Sequence, residues 1–126
     1  MRGFFTNKVK GDFGEDFSCR YLKEKGYRII EKNYKNQFGE IDIIVKDKEN
    51  LVFVEVKTRG SDKFGSPAQA VNHLKKRHII NAARFYISKK PTDLNIRFDV
   101  VEVYASVVSG EFILDSINHI ENAFLL

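Results

Sequence analysis

The 126-residue chain has the length of one domain, and its 43% hydrophobic, 13% aromatic and 30% charged residues are the balance of a globular protein. Eleven Phe and five Tyr supply a core that needs no disulfide or metal staple, which excludes the disordered, collagenous and disulfide-scaffold classes. A net charge of +4, from 21 basic and 17 acidic residues, permits a polyanionic partner without requiring one.

A single domain over residues 1–126 is therefore expected. The opening from Met1 to Lys8 lacks the apolar stretch of a secretory signal. The longest apolar runs, Ile43-Ile44-Val45 and Leu51-Val52-Phe53-Val54, fall far short of a membrane span. Cys19 has no second cysteine to pair with, which suits a reducing compartment. These features predict a cytoplasmic protein without membrane contact.

Taken in order, the chain predicts a helix from about Val9 to Lys25, stopped at Gly26. Tyr27 to Tyr34 has strand character, and firmer strands follow at Glu40–Lys46 and Leu51–Thr58. Ser66 and Pro67 are a cap and first residue for a long helix running to Lys90, where Pro91 stops it. Strands at Ile96–Tyr104 and Phe112–Leu114 come next, and Asn118–Phe124 reads as a closing helical turn or two. The order α-β-β-β-α-β-β predicts an α/β or α+β sandwich around a mixed five-stranded sheet.

Two strands carry charges where a buried strand should not. Alternation puts Ile41, Ile43 and Val45 on one face and Glu40, Asp42 and Ile44 on the other. In the next strand the valines at 52, 54 and 56 face one way, and Phe53, Glu55 and Lys57 the other. A two-residue loop at Lys48-Glu49 pairs Asp47 with Asn50, sets Asp42 opposite Glu55 and sets Glu40 opposite Lys57. Opposed carboxylates repel unless neutralised, and an all-oxygen donor set suits Mg²⁺ or Mn²⁺. The alternative is that the charged face is the solvated side of an antiparallel sheet, against which Ile44 and Phe53 argue.

The helices add candidates. Glu15 shares a face with Ser18, Cys19 and Leu22, and is either a third carboxylate or a first-turn acid favoured by the helix dipole. Lys75 falls within the stripe of Val71, Ala82, Ala83 and Tyr86, and either snorkels to solvent or reaches into a site beside the sheet. Arg59, Lys76 and Arg77 are candidate phosphate contacts or solubilising charges. His73, His78 and His119 have no ligand spacing, which disfavours zinc. Cys19 reads as a core residue, and Gly11 and Gly14 do not make a phosphate loop.

Asp42 followed by Glu55-Val56-Lys57 on the next strand resembles the core of PD-(D/E)XK nucleases. A wider set is more specific: Gly14-Glu15, Tyr21-Leu22, Gly26-Tyr27, Gly39-Glu40-Ile41-Asp42-Ile43-Ile44, Val52 to Arg59, Ala70-Val71 with Lys75, and Arg97-Phe98-Asp99-Val100. Across nearly the whole chain it resembles the YraN-type family of uncharacterised bacterial proteins. The resemblance implies a restriction-endonuclease-like fold akin to archaeal Holliday-junction resolvases, with a metal-dependent nuclease activity; the alternatives are a nucleic-acid-binding module without turnover on the same fold, and a protein-interaction scaffold in which Lys57 neutralises Glu40 and Glu55. It implies Asp42 and Glu55 as metal ligands, joined by the Val56 carbonyl and by Glu15, and Lys57 as the third member of the signature. Mg²⁺ or Mn²⁺ is the expected cofactor. The expected partner is nucleic acid, DNA before RNA, contacted by Arg59, Lys75, Lys76 and Arg77, with a homodimer as the form suited to two strands. Two departures stand out: no proline precedes Asp42, and Lys48 occupies a position where relatives often have a turn glycine.

Overall fold

The computed structural model describes residues 7–60 and 72–125. Its elements are α1 (Asn7–Glu24), β1 (Arg28–Asn36), β2 (Gly39–Asp47), β3 (Asn50–Gly60), α2 (His73–Lys89), β4 (Asn95–Val108) and β5 (Glu111–Phe124). The five strands form one sheet in the spatial order β1-β2-β3-β4-β5. β3 and β4 run parallel and every other neighbouring pair is antiparallel, so the sheet is mixed and the fold is α+β. Among the described residues no helix is long and apolar enough to cross a membrane.

Local chemistry sets the ends of the elements. Gly26 takes φ 94, which a side chain disfavours, and donates to the Lys23 carbonyl while Tyr27 donates to that of Leu22. This pair of bonds is a Schellman stop, closed by contact between Tyr27 and Leu22 in one apolar cluster. α2 begins later than the sequence predicts. Asn72 is extended, with φ −67 and ψ 161, and its Oδ1 accepts the Lys75 amide at 2.8 Å, so Asn72 is the cap. Ser66, Pro67 and Val71 lie outside the described residues.

Each face of the sheet is covered by one helix. On the α1 side Cys19 and Leu22 pack on Ile43, Val45, Val52, Val54, Val101 and Val103. On the α2 side Ile79, Ala82, Ala83 and Tyr86 pack on Ile44, Leu51, Phe53, Phe98 and Val100. Phe53, almost fully buried, stacks on Phe98 at 5.5 Å between ring centroids and meets Tyr86 edge-on at 5.8 Å. The solvated-face alternative is thereby excluded: side chains on both faces of β3 are enclosed.

Two further expectations need correction. The segment Asn118–Phe124 is strand, part of a 14-residue β5 far longer than the expected Phe112–Leu114. Register shifts opposite Phe98/Val100 and Tyr104/Ala105, with Asn122 at φ 53, break the two-residue alternation. The apolar spacing of Ile117, Ile120 and Phe124 therefore mimics a helix. Ile41 is the second correction. It joins Ile44 and Phe53 on the α2 side, apart from Ile43 and Val45. The cause lies at Asp42.

Candidate active site

The β2–β3 hairpin has the predicted register, from Asp47 opposite Asn50 to Ile43 opposite Val54. Pairing then stops, before Asp42 can face Glu55 or Glu40 can face Lys57. The next hydrogen-bonded couple of a continuous ladder would be Ile41 with Val56. Instead the Asp42 side chain takes the bond: its Oδ2 accepts the Val56 amide at 2.8 Å. The two strands fork at this carboxylate, which lets Ile41 turn to the α2 side. A strand residue points its N–H and C=O to the same edge, so the Val56 carbonyl faces the fork as well.

The fork opens into a cleft of about 310 Å³ lined by Gly11, Glu15, Asp42, Glu55, Val56, Lys57 and Thr58. α1 supplies Glu15 because it can lie directly against β3: a Cβ at Gly14 would overlap Thr58 Oγ1. β2 supplies Asp42, and β3 the remaining charged groups. Asp42, Glu55, Lys57, Glu15 and Val56 thus line one cleft, though not through the cross-strand pairing of Asp42 with Glu55. Lys75 joins them from the first turn of α2, its Nζ 3.6 Å from Glu55 Oε1, so it reaches the site and does not merely snorkel. Lys57 Nζ lies 4.0 Å from the same oxygen.

The acids of the cleft are incompletely satisfied. Glu55 is only 5% exposed, and its Oε2 is buried with no hydrogen-bond partner; Glu15 Oε1 is likewise without one. Burial, reinforced by the Asp42 charge, pushes the Glu55 carboxyl up to about 7. Glu15 is also pushed up to about 7, by burial and then by the charges of Asp42, Asp12 and Glu40. Asp42 is raised by burial too, against the opposing pull of the Val56 amide and Lys75. Three neighbouring carboxyls raised together mark a site short of positive charge.

The donor set fits a hard divalent cation. Among the described residues no three His, Cys, Asp or Glu side chains converge into a ready-made metal cage. Mg²⁺ does not need one, since it keeps several waters and is held by one or two carboxylates. Asp42, the unpartnered Glu55 oxygen and the Val56 carbonyl would hold it, and Glu15, which lines the same cleft, would act through water. The absence of His and Cys from the lining disfavours zinc.

The remaining basic candidates lie apart from the cleft. Arg59 donates through Nε to Glu102 Oε2 at 2.9 Å and is a structural partner of that buried acid. Lys76 lies over the Phe124 ring at 5.8 Å, and Arg77 is exposed on α2.

Sequence reasoning missed a second buried cluster. Fully buried Asp99 on β4 accepts Arg97 Nε and Nη2 at 2.9 Å each, His119 Nε2 at 2.7 Å and the Asn122 amide at 3.1 Å. His119 Nδ1 lies 3.1 Å from the Lys25 ammonium, which can only donate, so the ring proton is assigned to Nε2. Arg97 also donates to the Tyr27 hydroxyl at 2.7 Å. The available signal was the one that exposed Asp42 and Glu55: acids in an otherwise apolar strand, here Asp99 and Glu102.

Comparison with known proteins places the same residues in a family. Residues 14–103 match the profile described as "Uncharacterised protein family UPF0102". A UPF0102 protein of Clostridioides difficile (strain 630) is 49% identical over 122 residues, covering 94% of this chain and 99% of that protein. One from Clostridium beijerinckii is 46% identical over 121 residues, covering 95% and 96%. A more distant one from Persephonella marina is 40% identical over 117 residues, covering 92% and 93%. The profile match runs from Gly14, which seats α1, to Val103 on β4, and contains every cleft residue except Gly11. The chain belongs to the UPF0102 family, the YraN-type family that its motifs resemble.

Proposed function

We propose that this protein is a divalent-metal-dependent nuclease of the PD-(D/E)XK, restriction-endonuclease-like kind, hydrolysing phosphodiester bonds in nucleic acid, DNA before RNA and branched DNA in particular. One observation carries the reading. Glu55 is buried beside Asp42 with an unpartnered oxygen, in an open cleft that also holds Lys57. A fold gains nothing from such an arrangement unless a cation completes it.

Asp42 and Glu55 would hold the metal, with the Val56 carbonyl as a neutral third donor and Glu15 helping through water. Bound there, Mg²⁺ or Mn²⁺ would polarise the scissile phosphate and acidify a water. Asp42 is oriented for this task by the Val56 amide, which fixes one oxygen and leaves the other free. Lys57 orients the attacking water and stabilises charge developing on the phosphorus-bound oxygens. Lys75 stands at the rim, its Nζ beside Glu55. Cutting both strands of a duplex or junction calls for two such clefts, hence a homodimer.

The test is incubation of branched, nicked, duplex and single-stranded DNAs, and one RNA, with Mg²⁺ or Mn²⁺. Metal-dependent cleavage is expected, abolished in Asp42→Ala and reduced about a hundredfold or more in Lys57→Ala. Absence of any metal-dependent product, or full activity in both variants, overturns the reading. Salt-sensitive binding without cleavage would identify a binding module instead.

A further inference from the structure

Two ammonium groups converge on one oxygen of Glu55. Lys75 Nζ lies 3.6 Å and Lys57 Nζ 4.0 Å from Oε1, while Oε2 has no partner. The two lysines are mounted differently. Lys57 stands on β3, two residues from Glu55, with its backbone fixed in the sheet opposite Glu102 of β4. Lys75 comes from α2 across the cleft, and its side chain is 41% exposed. Its four-carbon stem can swing into solvent without disturbing any strand. Asp42, Glu55 and Glu15 attract whatever positive charge is within reach, and among the described residues the amines paired with Glu55 are these two.

We propose that Lys75 is a resident stand-in for the metal: from Oε1 it neutralises Glu55 until a divalent cation is taken up at the unpartnered Oε2, then leaves the neutralised carboxylate and turns its freed ammonium to a backbone phosphate. The inference rests on the metal-dependent reading above and adds an order of events to it. Lys75 competes with the metal for Glu55, so it weakens metal binding. Its release is what makes a phosphate contact available, so metal and nucleic acid bind cooperatively. Lys57, mounted on the same strand as Glu55 and two residues from it, remains beside Glu55 in both states.

Lys75→Met keeps the length and apolar cover of the stem and removes the charge; Lys75→Arg keeps a cation. Calorimetric titration with Mg²⁺, without nucleic acid, should find binding about tenfold tighter in Lys75→Met than in wild type, and near wild type in Lys75→Arg. Binding to a branched DNA is then followed against salt, in EDTA and in Ca²⁺. Wild type and Lys75→Met should have the same salt slope in EDTA. In Ca²⁺ the Lys75→Met slope should be shallower by about one phosphate contact. Unchanged or weaker Mg²⁺ binding by Lys75→Met, or a slope deficit already present in EDTA, overturns the stand-in role while leaving the metal site intact. Failure of both wild type and Lys75→Met to bind Mg²⁺, with circular dichroism unchanged, overturns the metal-dependent reading and this inference together.

Discussion

Two buried acidic clusters share one sheet and are finished in opposite ways. Around Asp99 both carboxylate oxygens are engaged, by the Arg97 fork, His119 and the Asn122 amide. Around Glu55 one oxygen meets two loosely placed ammonium groups and the other meets nothing. The titration shifts follow. Burial alone would raise Asp99, but the bonds from His119, Arg97 and Asn122 outweigh it and hold the carboxyl below its ordinary value. Glu55, with weaker compensation, is pushed up to about 7. Burying a carboxylate is therefore not informative by itself. What separates these two acids is whether the chain supplies the partners that burial demands.

The sharpest way to break the comparison is to remove one charge from each cluster. In Asp99→Asn the largely buried Arg97 guanidinium loses its bidentate carboxylate and keeps the longer carboxylate contacts to Asp47 at 3.5 Å and Glu121 at 4.0 Å, while His119 and the Asn122 amide lose their charged acceptor. Denaturant unfolding at pH 7 should show a loss of about 3–5 kcal/mol. Glu55→Gln removes a charge that the metal-free fold already holds poorly. Its stability should stay within about 1 kcal/mol of wild type, or exceed it. Equal losses in the two variants would mean that the Glu55 cluster is structural too.

A smaller effect is expected from a cation. A ligand that binds only the folded state raises stability by RT ln(1 + [L]/Kd), about 1–2 kcal/mol near ten times Kd. Mg²⁺ or Mn²⁺ should raise the melting temperature of wild type and Asp99→Asn alike. It should leave Asp42→Asn unchanged, since that variant loses a ligand charge. A rise of the same size in Asp42→Asn would locate the ion elsewhere.

The pH dependence distinguishes the clusters by sign. Glu55 and Glu15 are raised from 4.5 to about 7, so their contribution to metal-free stability is full below pH 4.5 and is lost as pH rises through 7. Asp99 is lowered from 3.8, so its contribution is full at neutral pH and is lost only as the solution falls below that value. Thermal unfolding without metal between pH 4.5 and 8 should therefore decline more steeply for wild type than for Glu55→Gln. Parallel curves would mean that Glu55 is not strained by its ionisation.

The same contrast explains what the sequence made legible. Asp42, Glu55 and Lys57 stood out because strand alternation is local, and a charge that violates it is visible within a few residues. The stop at Gly26 and the register from Asp47 and Asn50 were legible for the same reason. Ile41 was misassigned because the fork depends on the Asp42 carboxylate reaching the Val56 amide, a bond across fourteen positions of chain. The Asp99–His119 pair depends on the register of β5, which two shifts obscure. Alternation cannot report a partner whose position is set by bulges in a neighbouring strand.

The smallest predicted effect lies at the hairpin that sets the cleft's geometry. Lys48 takes φ 53, a left-handed conformation that disfavours a side chain and suits glycine or asparagine. It heads the two-residue turn that fixes Asp47 opposite Asn50, and through that register the point at which β2 and β3 part at Asp42. Lys48→Gly should relieve the backbone strain at the expense of a more flexible unfolded chain, for a net gain of about 0.5–1 kcal/mol in unfolding experiments. Because the turn lies at the opposite end of the hairpin from the fork, Mg²⁺ affinity should be unchanged. A loss of Mg²⁺ binding in Lys48→Gly would mean instead that the strained turn holds the register on which the Asp42–Val56 bond, and with it the whole cleft, depends.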